Sequence, residues 1–117
     1  MELKCRSVEG VQIVTLVGSF VSAETTKVRH QLNQLLETHS PHLIIDLAQL
    51  HFIDARGLSV FISALKTAQR RGGEVLLLKP TPTIRALIEM TRLQHTFSIY
   101  ADEAAAIAYC AHSLAVS

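Results

Sequence analysis

The sequence predicts an α/β fold: a single domain over residues 1–117, with a mixed β-sheet of about five strands covered by about four helices. Three observations lead to this prediction. The chain of 117 residues has the length of one domain. Short apolar runs alternate with segments whose apolar residues recur at helical spacing, which is typical of a sheet with helices on its faces. Because Trp is absent and aromatic residues make up only 5%, we expect a mainly aliphatic core.

Two strands open the chain. Leu3–Val8 and Val11–Val17 are predicted strands, joined by a hairpin turn at Glu9 and Gly10. The odd positions of the second strand are uniformly apolar, which is the pattern of a strand with one buried face. We expect Gly18 to end this strand.

A helix and a third strand follow. The helix is predicted to run from Ser22 or Ala23 to about Thr38, and Pro41 separates it from a buried strand at His42–Leu47. The apolar stripe of this helix consists of Val28, Leu32, Leu35 and Leu36.

The next segment brings an aspartate to the start of a second helix. A further apolar stretch, Leu50–Ile53, leads to Asp54, which we expect to cap a helix that opens near Gly57. Gly72 and Gly73 are expected to end this helix. The predicted buried face carries Leu58, Phe61, Ile62, Leu65 and Ala68, and the polar face carries Ser59, Ser63, Lys66 and Arg70.

The remaining third of the chain alternates strands with helices. Glu74–Lys79 has a solidly apolar centre, which predicts a strand inside the sheet. A helix at about Pro82–Thr91 and a short strand at Phe97–Tyr100 follow. Asp102 is expected to cap a closing helix at about Glu103–Leu114. One common core is predicted to contain Ile44, Ile45, Leu47, Phe61, Leu65, Val75, Leu76 and Leu77.

Composition and spacing also exclude several classes of function. The net charge of +1 argues against a nucleic-acid partner, which requires a concentrated basic surface. No apolar run reaches the roughly 18 residues of a membrane span, and the first residues do not resemble a signal peptide, so we expect a cytoplasmic protein without membrane insertion. The six histidines lack metal-site spacing, and no catalytic constellation is present. We therefore expect no metal, no cofactor and no enzyme activity, and we interpret Cys5 and Cys110 as small buried thiols.

The order of strand, acidic turn and helix between residues 43 and 59 resembles the signature of the STAS domain, the fold of anti-sigma factor antagonists. In that family the turn usually reads Asp-Ser-Ser-Gly-Leu or Asp-Ser-Thr-Gly-Leu, and the serine directly after the aspartate is phosphorylated. Ala55 occupies that position here. The stretch Ile84–Tyr100 also resembles the family, with Arg92 where glycine is common, so a positive φ there would strain the arginine.

The resemblance implies a binding switch. Unphosphorylated family members bind an anti-sigma factor of the serine-kinase type, which then releases its sigma factor, and phosphorylation of the turn breaks that complex. With Ala55, the turn should stay in the binding-competent form, and Ser59 is the remaining candidate for phosphorylation. The expected docking surface comprises Asp54, Ala55, Arg56, Gly57, Leu58, Ser59, Ser63 and Lys66, with Arg70 extending the same face.

Alternatives remain open at this point. The chain could instead be a structural STAS subunit of a multi-protein scaffold or transporter-associated complex, with permanent docking, and it could form a homodimer. Asp54 could contact a partner or simply cap its helix, and Arg56 could contact a partner or simply be solvated. A response-regulator receiver would also use such an aspartate, but it needs an acidic pair after its first strand, and Val17–Phe20 contains no acid.

Overall fold

The computed structural model describes the backbone of residues 1–116 and the side chains of residues 1–112. An α/β domain with a mixed sheet is confirmed, and so is the alternation of strands and helices. Short 3₁₀ turns at Ser22–Glu24 and Leu93–His95 complete the path. The elements in chain order are β1 (Glu2–Val8), β2 (Val11–Phe20), α1 (Thr25–Thr38), β3 (His42–Asp46), β4 (Leu50–Ile53), α2 (Ala55–Arg70), β5 (Glu74–Leu78), α3 (Pro82–Met90), β6 (Ser98–Tyr100) and α4 (Glu103–Val116).

The sheet has six strands rather than about five. Its strand order is β1-β2-β3-β5-β6, with β1 antiparallel to β2 and the neighbours from β2 onward parallel. The additional strand is β4, the stretch that the sequence marked only as apolar, and it pairs in parallel with the end of β2. As expected, β5 lies inside the sheet, between β3 and β6.

The prediction that Gly18 ends the second strand is wrong. β2 continues to Phe20, and its pairing register with β4 shifts between Gly18 and Ser19. Gly18 has a φ of 106°, a conformation that a residue without a side chain adopts at little cost. The irregularity lets one long strand pair first with β3 and then with β4, and this second pairing positions the chain before Asp54.

The sheet divides the buried residues into two clusters, so the prediction of one common core is also wrong. Ile45 and Leu77 belong to the larger cluster under α1, α2 and α3. Ile44 and Leu76 belong to a smaller cluster under α4. The reason is the alternation of a strand, in which successive side chains point to opposite faces.

Two further local expectations have opposite outcomes. Arg92 has a φ of 61°, so the condition under which strain was expected at this arginine is met. The expectation of two buried thiols is half wrong, because Cys110 is buried but Cys5 lies exposed on the edge strand β1. Among the described residues, none of the helices combines the length and the apolar character needed to cross a membrane.

Candidate functional site

Asp54 lies where β4 ends and α2 begins. Its backbone amide donates to the carbonyl of Phe20 (3.2 Å), which continues the pairing of β4 with β2. Its extended backbone, with ψ of 179°, then turns directly into the helix at Ala55. The irregular pairing of two strands thus fixes the position of the aspartate.

Both oxygens of the Asp54 carboxylate accept hydrogen bonds from the same chain. Oδ1 accepts a hydrogen bond from the amide of Gly57 (2.9 Å), as the predicted N-cap requires. Oδ2 accepts two more from Ser22, one from its amide and one from its hydroxyl, both at 3.0 Å. These bonds, that of Gly57 first, hold the pKa of Asp54 below its usual value. The capping interpretation is therefore confirmed, and Asp54 ties α2 to the loop before α1.

Three exposed residues surround this cap. Ala55 and Arg56 form the first exposed turn of α2, and Ser59 follows one turn later. The Ser59 hydroxyl donates to the carbonyl of Arg56 (2.7 Å), so this hydroxyl already forms a hydrogen bond within the helix. At the position after the aspartate, the surface presents only the methyl group of Ala55.

Gly57 and Leu58 lie beneath this surface. Leu58 is only 5% exposed and belongs to the larger core cluster. A Cβ added to Gly57 would come within 2.6 Å of Ile53 Cγ1 and 3.1 Å of the Phe20 ring. Glycine at this position lets α2 pack closely on two strands, so these two residues can support a docking surface but offer no side chain to it.

The predicted polar face of α2 forms one continuous surface. Ser59, Ser63, Lys66 and Arg70 line a shallow groove of about 430 Å³ together with Ile62. Arg70 also donates to the Thr67 hydroxyl (3.3 Å). The helix α2 carries three cationic residues and no carboxylate, so its exposed face is positively charged.

Sequence reasoning missed an apolar groove beside the turn. It has a volume of about 610 Å³ and is formed by the end of β4 and the outer face of α3. Phe52 is 50% exposed and Met90 is 80% exposed at its rim. In the sequence, this groove is indicated by the apolar Phe52, which occupies an outward position of β4. That indication can be used only after residues 50–53 have been recognised as a strand.

Ser22 is the second residue that sequence reasoning missed. Its contact with Asp54 joins positions 32 residues apart, and no local pattern could have indicated it. The arrangement as a whole offers a rigid turn, a cationic helix face and an apolar groove. These features are suited to binding a macromolecule.

Comparison with known proteins agrees with this geometry. A family model described as the STAS domain matches residues 2–106. The anti-sigma F factor antagonist of Paenibacillus polymyxa is 27% identical over 108 residues, covering 92% of this chain and 92% of that protein.

Two solved structures share the fold. The anti-sigma factor antagonist SpoIIAA in its unphosphorylated form matches with a TM-score of 0.80 at 18% identity, covering 91% of this chain and 93% of that one. A sulfate transporter family protein from Wolinella succinogenes matches with a TM-score of 0.72 at 18% identity, covering 90% and 88%. On its sequence and its fold, this chain belongs to the STAS domain family.

Proposed function

We propose that this STAS domain is a non-catalytic regulator of the anti-sigma factor antagonist type, which binds an anti-sigma factor of the serine-kinase class and thereby releases a sigma factor. The observation that carries the proposal is the turn at Asp54, which is preformed and exposes a residue directly after the aspartate. The relatives named anti-sigma factor antagonists support it. What distinguishes this chain is that the exposed residue is Ala55.

The turn needs no partner to acquire its shape. All three hydrogen bonds to the Asp54 carboxylate come from Gly57 and Ser22 of the same chain. A surface that is ordered before binding loses less conformational entropy on association than a flexible one. The turn can therefore act as a fixed recognition element.

The absence of a hydroxyl at residue 55 removes the usual means of release. Phosphorylation would add roughly two negative charges at the start of α2 and would repel an acidic partner surface. Ser59 is one turn further along the helix, and its hydroxyl already donates to the Arg56 carbonyl. We therefore propose that this protein stays in the binding-competent form, with Ser59 as the residue to examine if phosphate is found.

The charge of α2 indicates the chemistry of the partner surface. Arg56, Lys66 and Arg70 have no acidic residue beside them on this helix. An acidic surface on the partner would complement this face, and complementary charge both speeds association and excludes wrong partners. Beside it, the groove between Phe52 and Met90 fits an apolar side chain of the same partner, because Phe52 is only two residues before Asp54.

The test begins with capture of the partner from the native host and its identification by mass spectrometry. We expect a kinase-type anti-sigma factor, and we expect incubation with this kinase and ATP to leave the complex intact. The variant Ala55→Ser should become phosphorylated at residue 55 and should then dissociate. Ala55→Gly, which adds no hydroxyl, is the matched control and should remain bound.

A structural STAS subunit with permanent docking is the second candidate, and the same alanine favours it, because such a subunit has no use for a phosphorylation site. Capture of a scaffold or transporter protein would support this candidate and contradict the first. Phosphate on Ser59 of the parent protein, accompanied by dissociation, would contradict the proposal that the module is held in one state.

A further inference from the structure

Three side chains with metal-binding atoms meet at the opposite end of the sheet from Asp54. His42 is the first residue of β3, Glu74 is the first residue of β5, and the two are paired in register. Cys110 reaches them from α4, which covers this face of the sheet. The nitrogen, oxygen and sulfur atoms that they offer all lie within 4.8 Å of one another.

The imidazole of His42 provides a second observation, independent of the clustering, that points to a ligand. His42 is only 3% exposed, and among the described residues its Nδ1 atom has no hydrogen-bond partner. Glu74 Oε1 lies 3.7 Å from this nitrogen, which is within the range of an ion pair but too long for a hydrogen bond. Buried polar atoms almost always have a partner. This nitrogen thus faces the Glu74 carboxylate without a hydrogen bond, and a ligand atom of the same imidazole lies within 4.8 Å of the Cys110 sulfur.

The thiol of Cys110 is buried beneath α4, in the smaller apolar cluster. A buried thiol becomes a metal ligand by losing its proton to solvent when the metal binds.

We propose that His42, Glu74 and Cys110 bind a divalent transition-metal ion, zinc in the first place. Imidazole nitrogen, carboxylate oxygen and thiolate sulfur are the ligands that zinc takes in proteins, at about 2.0–2.3 Å. In a tetrahedral site such ligands lie roughly 3.5 Å apart, and His42 Nδ1 and Glu74 Oε1 already lie 3.7 Å apart. On binding, the thiol proton leaves to solvent, and water completes the fourth position.

The metal would add a third link between α4 and the sheet, beside the smaller apolar cluster and the ion pair of Arg6 with Glu103. His42 and Glu74 lie on adjacent strands, whereas Cys110 lies on the closing helix. A metal bound to all three would fix α4 to the sheet, and it would stabilise the folded state by an amount that grows with the logarithm of its affinity. This role is independent of the proposed regulatory turn.

The test is a titration of chelator-treated protein with Zn²⁺ and with Co²⁺, in competition with a chromophoric chelator. We expect one ion per chain, a Co²⁺–thiolate charge-transfer band, and a rise in melting temperature with Zn²⁺. Glu74→Gln and Cys110→Ala should each weaken binding by at least about tenfold, since even residues that only support metal ligands are worth about 10–100-fold. Cys5→Ala removes an exposed thiol instead and should bind as the parent does.

Glu74→Gln decides the question if Cys110→Ala folds poorly, because the Glu74 side chain is 23% exposed and its amide has the same shape. Failure to bind one ion per chain would overturn the proposal. So would loss of binding in Cys5→Ala with unchanged binding in Glu74→Gln, which would place the ion at the exposed thiol.

Discussion

Each face of the sheet has a carboxylate at one end of a strand, and the two carboxylates differ in their hydrogen bonding. On the face covered by α1, α2 and α3, Asp54 receives three hydrogen bonds from its own chain. On the face covered by α4, Glu74 lies opposite a buried imidazole nitrogen that has no hydrogen-bond partner among the described residues. A carboxylate with all three hydrogen bonds in place supports its exposed neighbours, whereas a buried nitrogen without a partner points to the metal site that we propose. The four predictions that follow test this contrast, from the largest expected effect to the smallest.

Core truncation on the two faces should have the largest effect. Leu77 is fully buried in the larger cluster, and Leu76 is 1% exposed in the smaller one. Leu77→Ala should lower the free energy of unfolding by about 2–5 kcal/mol, with Leu76→Ala at the lower end of that range. Urea denaturation measures both. A loss below about half a kcal/mol for Leu77→Ala would refute the assignment of β5 as an inner strand.

Replacement of the cap should have the next largest effect and should depend on pH. Asp54→Asn keeps an oxygen that accepts from the Gly57 amide, but the NH2 group that replaces Oδ2 can accept neither hydrogen bond from Ser22. The melting temperature should therefore fall by roughly a few degrees at neutral pH. The folded-state pKa of Asp54 lies below 3.8, so the carboxylate stabilises the fold above that pH.

This contribution should disappear as the pH falls below 3.8 through the lower folded-state pKa. Melting curves of parent and variant should therefore converge in acid. A constant difference at every pH would show that the charge of Asp54 contributes nothing. Asp102→Asn at the cap of α4 is the control, since within the described part of the chain its carboxylate accepts a bond from Ala104 but none from a distant loop.

Close packing under the turn can be tested at Gly57. An added methyl group would lie 2.6 Å from Ile53 Cγ1, and overpacking of this kind costs about 1–3 kcal/mol. The higher helix propensity of alanine offsets about 1 kcal/mol of this, so Gly57→Ala should lose about 1 kcal/mol. An increase in stability would show that α2 can move away from β4, and the turn would then not be rigid.

Charge reversal on the exposed face should have the smallest effect on folding and a large effect on binding. Arg56→Glu and Lys66→Glu should change stability by less than about 0.5 kcal/mol. Each should weaken binding to the captured partner markedly, because like charges at an interface cost several kcal/mol. Lys27→Glu makes the same charge change on the exposed surface of α1 and should bind normally. Unchanged binding by both α2 variants would place the interface elsewhere.

Much of this fold depends on interactions between residues close together in the chain, and these parts could be predicted from the sequence alone. The helix that follows Asp54, its cap and its two faces depend on residues within four positions of each other, so periodicity and capping rules sufficed. At Arg92 the resemblance to the STAS family indicated only that a positive φ would be strained, and the structure supplied the positive φ itself. The ends of elements were predicted less accurately. The helix α1 starts at Thr25, after a 3₁₀ turn, rather than at Ser22 or Ala23.

Only the tertiary structure decided which distant residues meet. The pairing of β4 with β2 requires the irregularity at Gly18, and it brings Ser22 to Asp54 across 32 positions. The approach of Cys110 to His42 depends on where α4 crosses the sheet, and no spacing in the chain encodes it. The physical reason is that periodicity reports which face of an element is buried. The partner of that face is set by strand register and helix packing, which a local pattern does not contain.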